Sequence, residues 1–219
     1  MKKENYNGLL VVIEGTDGAG KSTQIELLKR YVEDQSFGTM ISEWKTSGLI
    51  AEAIDHAKER NLLNATTFSL LYAADFADRL ENIIIPALKS GFVCLLDRYT
   101  YTAFARDVVR GHDLSWVEKL YDYAPDPDIV FYLDLPVETL LKRVIGNNGL
   151  DWWESGRDIG LSTDIYKSFK IYQSKILQEY DLMKSKYNFI SLDGTLSIDQ
   201  IHKLMVQHLQ KFLDKPKLL

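Results

Sequence analysis

The strongest chemical signal in the sequence lies in residues 15–23, which read Gly-Thr-Asp-Gly-Ala-Gly-Lys-Ser-Thr. The first eight match the pattern G-x-x-x-x-G-K-[ST], between a predicted strand and a predicted helix. Glycines let the backbone curl so that successive N–H groups point at phosphate oxygens. Lys21 would bridge the β- and γ-phosphates of a nucleoside triphosphate, and Ser22 would offer its hydroxyl to Mg²⁺. The predicted triphosphate-binding residues are Gly15, Thr16, Asp17, Gly18, Ala19, Gly20, Lys21, Ser22 and Thr23.

A second signal is the pair Asp97 and Arg98, which ends an apolar run that starts at residue 92. An acid at the end of a buried parallel strand lies at the carboxyl edge of the sheet, where ligands bind. Asp97 is therefore predicted to orient the magnesium shell, and Arg98 to hold a second phosphate group in a bidentate manner. The alternative interpretation is a helix cap followed by a surface cation.

The further cations of the sequence decide whether phosphoryl transfer is plausible. The phosphate of a nucleoside monophosphate is already an anionic nucleophile, so its phosphorylation needs positioning and positive charge but no general base. Arg143 and Arg157 lie just before and within a glycine-containing loop, where a closing lid would carry an arginine finger and expel water. Four more cations are at least as consistent with a solvated face: Lys45, Arg106, Arg110 and Lys142.

The elements that must position these residues alternate along the chain. Short apolar runs predict strands at 9–13, 39–44, 92–97, 129–133 and 189–192. Amphipathic stretches predict helices near 21–33, 48–59, 65–89, 100–123, 137–145, 164–186 and 198–213. Strands separated by helices of this length pair in parallel through right-handed crossovers. The expected fold is a three-layer α/β fold of the P-loop NTPase type, with about five parallel strands flanked by helices.

One segment interrupts this alternation. Residues 146–160 contain four glycines and are too long for an ordinary connection in a compact domain. We interpret residues 144–163 as a mobile lid on a single domain that spans 1–219. The alternative is a solvent loop pinned by Trp152 and Trp153.

Composition narrows the class of protein. The 219 residues are 46% hydrophobic, which argues against disorder, and the net charge of −5 argues against broad nucleic-acid binding. The single Cys94 fits a reducing compartment, and the opening residues have no apolar run long enough for a signal peptide or a membrane span. We therefore expect a cytoplasmic protein that binds small-molecule nucleotides, with neither a nucleic acid nor a membrane as its partner.

The ordered combination of motifs resembles the thymidylate kinase family of P-loop nucleoside monophosphate kinases. Residues 12–24 are similar to the opening of that family almost residue for residue, and the resemblance continues to beyond Ile201. The matching segments that follow in the family's order read Tyr72-Ala73-Ala74-Asp75, Ile85-Pro86-Ala87-Leu88, Asp97-Arg98-Tyr99, the strand 128–134 and Asp193-Gly194-Thr195. The resemblance implies transfer of the γ-phosphate of ATP to dTMP with Mg²⁺, on a fold that often forms a homodimer.

The resemblance also implies roles for individual residues. Asp17 would face the 3′-hydroxyl of the acceptor sugar, Arg98 would take the acceptor phosphate, and Tyr72 would lie against the base. Where some members carry an arginine in the P-loop this chain has Gly18, so the catalytic arginine would come from the lid. The catalytic residues predicted in this way are Asp17, Lys21, Arg98, Arg143 and Arg157, and the metal site would be Ser22 and Asp97. The predicted acceptor-binding residues are Lys45, Tyr72, Phe76, Arg79, Arg98, Tyr99 and Arg106.

Three of these positions depart from the family's pattern. Phe76 stands where the family has an arginine that reads the base, and Arg79 lies one helical turn further on. Arg106 stands where an aromatic residue packs on the deoxyribose, and Lys45 would replace an arginine of the phosphate-binding segment. The helical stripe that contains Tyr72 and Phe76 is equally consistent with a base-stacking wall and with a packed core.

Two other functions remain open at the level of the sequence. One is a kinase for a different acceptor, such as another deoxynucleotide or a nucleoside. The hydroxyl of a nucleoside acceptor would need a general base, which Glu14 or Asp17 could provide. The other is a nucleotide-binding regulatory protein without transferase activity.

Overall fold

The structure, a computed structural model, describes residues 6–59, 63–147 and 149–214. Its core is a five-stranded parallel sheet with the strand order β2-β3-β1-β4-β5. The strands are β1 (Leu9–Glu14), β2 (Thr39–Glu43), β3 (Val93–Asp97), β4 (Ile129–Asp134) and β5 (Ile190–Asp193). The predicted number, order along the chain and parallel pairing of the strands are confirmed.

Helices cover both faces of this sheet. They are α1 (Lys21–Asp34), α2 (Ala51–Glu59), α3 (Ala65–Arg79), α4 (Ile85–Lys89), α5 (Thr100–Val109), α6 (Leu114–Leu120), α7 (Val137–Asn147), α8 (Ile165–Lys186) and α9 (Ile198–Leu213). Side chains of β1 alternate between the two faces, since Leu10 and Val12 pack with α3, α5 and α8, while Val11 and Ile13 pack with α1 and α9. Burial on both faces explains why the strand is apolar throughout. The predicted three-layer fold is confirmed.

Two predicted helices are divided in the structure. The run 65–89 contains a π-helical turn at Leu80–Ile84 between α3 and α4, next to Pro86, whose missing N–H disturbs the regular ladder. The run 100–123 breaks where Gly111 adopts a positive φ of 98° and Asp113 caps α6 by accepting hydrogen bonds from Ser115 and Trp116. Within the described residues, no helix is long and apolar enough to cross a membrane.

Residues 149–163, the part of the predicted lid described after α7, pack against the rest of the structure through a few buried residues. They form turns and one short 3₁₀ helix, Arg157–Ile159. Trp153 is 5% exposed and stacks on Phe68 of α3, with 5.7 Å between the ring centroids. Ser155 is also buried. This segment, which we call the lid segment, therefore covers one side of the space above the sheet.

Candidate active site

The sheet brings the two chemical signals of the sequence together. β1 and β3 are neighbours, and their register pairs Ile13 with Asp97. The loop after β1 and the turn after β3 therefore leave the sheet at the same carboxyl edge. They line one end of a cavity of about 490 Å³. This phosphate end is lined by Asp17, Lys21, Ser22, Asp97 and Arg98.

The backbone of the loop requires its glycines. Gly20, directly before α1, has a φ of 96°, and Gly15 has a φ of 147°. A Cβ at Gly15 would lie 3.2 Å from the carbonyl oxygen of Leu133. Both conformations are ones that side-chain-bearing residues rarely adopt. The resulting curl directs the positive end of α1 toward the phosphate end of the cavity.

Lys21, Ser22 and Asp97 form one connected group at the phosphate end. The Lys21 Nζ donates to the carbonyl oxygen of Thr16 at 3.2 Å and lies 3.7 Å from Asp97 Oδ1. The Ser22 hydroxyl donates to Asp97 Oδ2 at 3.2 Å. Burial and the nearby Arg98 lower the pKa of Lys21, while Asp97 and Asp17 oppose that shift. Lys21 is thus a buried cation, and an anionic ligand such as a phosphate group would stabilise its charge.

Ser22 and Asp97 also fit a magnesium ion. Their side chains supply hard oxygen ligands, and Asp97 Oδ1 is buried without a hydrogen-bond partner among the described residues. Magnesium usually takes one or two protein ligands and completes its shell with water and substrate phosphates. No group of three or more acidic, His or Cys side chains in the described part of the chain forms a complete cage. The site therefore suits an ion that arrives with a nucleotide.

Arg98 and Asp17 form an ion pair across the cavity wall, and Arg106 of α5 reaches the other oxygen of Asp17 at 3.3 Å. Burial by itself would raise the pKa of Asp17, but the charges of Arg98, Arg106, Lys21 and Lys58 hold it well below its usual range. Asp17 is therefore a stable anion that holds two guanidinium groups at the junction of the cavity. An anionic ligand would find both cations already in place.

The backbone at Arg98 is held in an unusual conformation. Its φ is 73°, in the left-handed region, and its N–H donates to the carbonyl oxygen of Ile13 at 3.0 Å. The fully buried Glu14 supports the same turn by accepting hydrogen bonds from Tyr99 N, Thr102 Oγ1 and Tyr180 Oη. Burial raises the pKa of Glu14, and these three hydrogen bonds partly oppose the shift. Glu14 is thus a structural support of Arg98 and is enclosed away from the cavity.

The opposite end of the cavity is aromatic. It is lined by Trp44, Phe68, Tyr72 and Trp153, which we call the aromatic end. Ring centroids lie 4.5 Å apart for Phe68 and Tyr72 and 5.7 Å apart for Trp44 and Tyr72. Such walls bind flat, weakly polar groups. The remaining lining of the cavity comes from Gly18, Gly20, Thr23, Glu43, Lys45, Lys58, Arg106, Arg110 and Glu154.

The predicted acceptor-binding residues divide into two groups. Lys45, Tyr72, Arg98 and Arg106 line the cavity. The Lys45 ammonium lies 2.5 Å from Asp55 on α2, so it is already paired with a carboxylate.

Phe76, Arg79 and Tyr99 lie in the core and are absent from the described cavity lining. Arg79 is 1% exposed because its Nε donates to Asp75 at 3.0 Å and its Nη1 to the Ser42 hydroxyl at 2.9 Å. The Tyr99 hydroxyl donates to the carbonyl oxygen of Pro125 at 2.8 Å. All three are buried in this structure, and none of them is part of the described cavity lining.

The two lid arginines lie in different places. Arg143 of α7 donates to the carbonyl oxygens of Gly194, at 3.0 Å, and Gly18, at 3.5 Å, so it bridges α7, the P-loop and the loop after β5. Arg157 donates to the carbonyl oxygens of Ser162 and Thr163 and covers the ring of Trp152. In this structure Arg157 therefore stabilises the lid itself and does not line the cavity.

Arg110 has a larger structural role than a solvated cation. It is buried at the C-terminal end of α5, pairs with Asp158 of the lid at 2.8 Å and donates to the Trp153 carbonyl and the Tyr172 hydroxyl. Its guanidinium also covers the ring of Phe68 at 4.5 Å. Arg110 thereby ties the lid to the aromatic end, and a solvated helix face is the wrong interpretation for it.

Other cavity residues were missed because they lack a local motif. Phe68 belonged to a stripe that was equally consistent with core packing, and Trp44 and Lys58 had no spacing that pointed to a ligand. Glu154 follows Trp153 in the lid, and burial raises its pKa together with the nearby charge of Asp17.

Comparison with known proteins agrees with this geometry. A model of the thymidylate kinase family matches residues 13–205. A probable thymidylate kinase 2 of Saccharolobus solfataricus is 41% identical over 209 residues, which cover 94% of this chain and 98% of that protein. A probable thymidylate kinase of Thermococcus gammatolerans is 39% identical, with 91% and 94% covered, and a thymidylate kinase of Fervidobacterium nodosum is 30% identical, with 94% and 100% covered. The resemblance seen in the P-loop, the Asp97-Arg98 turn and the lid therefore extends over nearly the whole chain, and the chain belongs to the thymidylate kinase family.

Proposed function

We propose that this chain transfers the γ-phosphoryl group of ATP to the phosphate of dTMP, which yields dTDP and ADP. The observation that carries the proposal is the cavity itself, which joins a P-loop to an aromatic end through Arg98 and Arg106. A nucleoside monophosphate has this same division, with a flat base at one end and an anionic phosphate at the other. Arg98 lies at the junction, where the acceptor phosphate would meet the γ-phosphate.

The residues of the phosphate end would act by positioning and by charge. Residues 15–23 would hold the triphosphate of ATP, with Lys21 on its β- and γ-phosphates. Ser22 and Asp97 would hold Mg²⁺, which, when bound, neutralises charge on the phosphate oxygens. Arg98 would hold the acceptor phosphate so that one of its oxygens bonds to the γ-phosphorus as the bond to the β,γ-bridging oxygen breaks.

The reaction needs no general base because the attacking group is already an anion. Glu14 supports this assignment, since its carboxylate is enclosed and its hydrogen bonds hold Tyr99, Thr102 and Tyr180. Glu14 is thereby unsuited to activate the hydroxyl of a nucleoside acceptor. Asp17, held as an anion by two arginines, would bind and orient but would not exchange a proton readily at neutral pH.

Arg143 and the lid would complete the site when ATP binds. Arg143 lies over the P-loop and beside Gly194, and it would lie on the donor side of the cavity. Trp153 closes the aromatic end and excludes water from the acceptor. Arg157 would reach a phosphate only after its bonds to Ser162 and Thr163 open.

The experiment that tests this function is a panel of acceptors with ATP and Mg²⁺, followed by release of ADP. We expect turnover of dTMP well above that of dGMP and thymidine. Release of ADP only with a nucleoside would contradict the proposal. Binding of ATP without turnover of any acceptor would indicate a nucleotide-binding regulatory protein.

The variant Arg98→Ala tests the position of the acceptor phosphate. We expect it to lower kcat/KM for dTMP at least about a hundredfold, the scale of a lost charge-stabilising group. The matched control is Arg30→Ala on α1, an exposed arginine outside the cavity lining, which should leave kcat/KM unchanged. Near-normal turnover of Arg98→Ala would show that the acceptor phosphate is held elsewhere.

The family resemblance further supports a cytoplasmic homodimer. Light scattering of the purified protein tests the dimer, for which a mass of one chain would be the contrary result.

A further inference from the structure

Asp107 lies on the cavity face of α5 and is used by none of the steps above. It follows Arg106 in the helix and is 2% exposed. It forms part of the wall of a narrow cleft that shares Trp44, Phe68 and Tyr72 with the aromatic end. The cleft therefore continues the cavity from the aromatic rings toward this carboxyl group.

The carboxyl group of Asp107 has an unused hydrogen-bonding position. Its Oδ2 is buried and has no hydrogen-bond partner among the described residues. The two guanidinium groups of the same helix are engaged elsewhere, Arg106 with Asp17 and Arg110 with Asp158. A buried polar atom without a partner is costly, and in the wall of a cavity the missing partner is most simply an atom of the ligand.

The chemistry of this group suits the edge of a base. Burial raises the pKa of Asp107 to about 6, against the opposing effects of a hydrogen bond from Ser69 and the charge of Arg110. In its ionised form the carboxylate is a hydrogen-bond acceptor, and its unpartnered oxygen can take one donor. A pyrimidine with an imide edge presents such a donor at N3–H.

The predicted base readers do not compete for this edge. Phe76 and Arg79 point into the core, and Arg79 is paired with Asp75. Trp44, Phe68 and Tyr72 supply ring surfaces for the flat faces of a base, but the edge of the base would still need a polar partner. Around the cleft, two buried polar atoms have no hydrogen-bond partner among the described residues, the Trp44 indole nitrogen and Asp107 Oδ2, and of these only the Asp107 oxygen can accept a hydrogen bond.

We propose that Asp107 accepts a hydrogen bond from the N3–H of the acceptor base and thereby contributes to its selection. This inference rests on the proposed function, because it assumes that the base of the acceptor lies at the aromatic end. It adds a specificity-determining residue at the inner wall of that end, supplied by α5.

The test compares dTMP with its N3-methyl analogue as acceptors for the wild type, Asp107→Ala and Asp107→Asn. The methyl group removes the N3 donor and leaves the phosphate and sugar unchanged. We expect Asp107→Ala to raise KM for dTMP at least about tenfold, to leave KM for ATP unchanged, and to bring the two acceptors close to equal kcat/KM. Asp107→Asn keeps a carbonyl acceptor at this position and should retain the preference for dTMP. Asp113→Ala, at the exposed cap of α6, is the control for loss of a carboxylate.

Three results would overturn the inference, and they are distinguishable. If Asp107→Ala keeps the wild-type preference for dTMP over the N3-methyl analogue, Asp107 does not read this edge. If Asp107→Ala raises both KM values and lowers Tm while the preference is retained, its role is structural. If the wild type fails to phosphorylate dTMP although ATP binds, the proposed function fails and this inference fails with it.

Discussion

At the phosphate end of the cavity, the functional groups come from two short segments that follow neighbouring strands, the loop after β1 and the turn after β3. At the aromatic end, Trp44, Phe68, Tyr72 and Trp153 come from the segment after β2, from α3 and from the lid. The first end is held by backbone geometry and ion pairs, and the second by packing between helices. Charge that binds phosphate can be fixed locally, whereas a shape that selects a base has to be assembled from distant parts of the chain.

The largest effect is expected at Lys21. Lys21→Ala should lower kcat/KM about a thousandfold, because the variant loses a cation that stabilises charge on the transferred group. Thermal unfolding should change little. Lys58→Ala is the matched control, since Lys58 lines the same cavity from α2. Steady-state kinetics with dTMP measures both variants. An equal loss of kcat/KM in Lys21→Ala and Lys58→Ala would contradict the special role of the phosphate end.

The attachment of the lid at the aromatic end is the next test. Arg110→Ala leaves Asp158 buried without its partner and should lower the free energy of unfolding by about 3 kcal/mol, as measured in urea. It should also raise KM for dTMP more than KM for ATP, because Trp153 loses its support. If the two KM values rose equally, the lid would support ATP binding and dTMP binding to the same extent.

A smaller effect, on the free energy of unfolding, is expected when the pH is lowered and Asp17 at the phosphate end takes up a proton. The pKa of Asp17 is lowered in the folded state, so its ionisation stabilises the fold above the unfolded-state pKa of about 3.9. That contribution is lost as the pH falls below this value toward the folded pKa. Urea unfolding between pH 7 and pH 2.5 should therefore show a steeper loss below pH 4 for the wild type than for Asp17→Asn. Parallel curves would mean that Arg98 and Arg106 do not stabilise the Asp17 anion.

The smallest effect is expected for Arg157→Ala. In this structure Arg157 bonds only to carbonyl oxygens of its own loop and covers Trp152. We expect kcat/KM to stay within about threefold of the wild type, in contrast to Arg143→Ala, which removes the bridge to the P-loop. A hundredfold loss in Arg157→Ala would instead support the sequence-based prediction of a finger that reaches the phosphates on closure.

The difference between the two ends also explains which residues could be predicted. Lys21 and Ser22 were identifiable because they follow a glycine-rich loop, and Asp97 because it ends a buried strand and parallel strands end at one edge. Tyr72 and Phe76 lie one helical turn apart on the same face of α3, yet of the two only Tyr72 lines the cavity. α3 advances about 5.4 Å per turn, so its later residues pass beyond the cavity and into the core.

The sequence by itself determined the strand order along the chain, the curled phosphate loop and the charges next to it, because these depend on local periodicity and on glycine conformation. Tertiary structure alone decided that Arg79 pairs inward with Asp75 while Arg110 reaches the lid. It also decided that Asp107 borders the aromatic cleft with an unpartnered oxygen. The physical reason is that a charged side chain on a helix has several solvated or paired states of similar free energy, and only the packing of distant segments selects one of them.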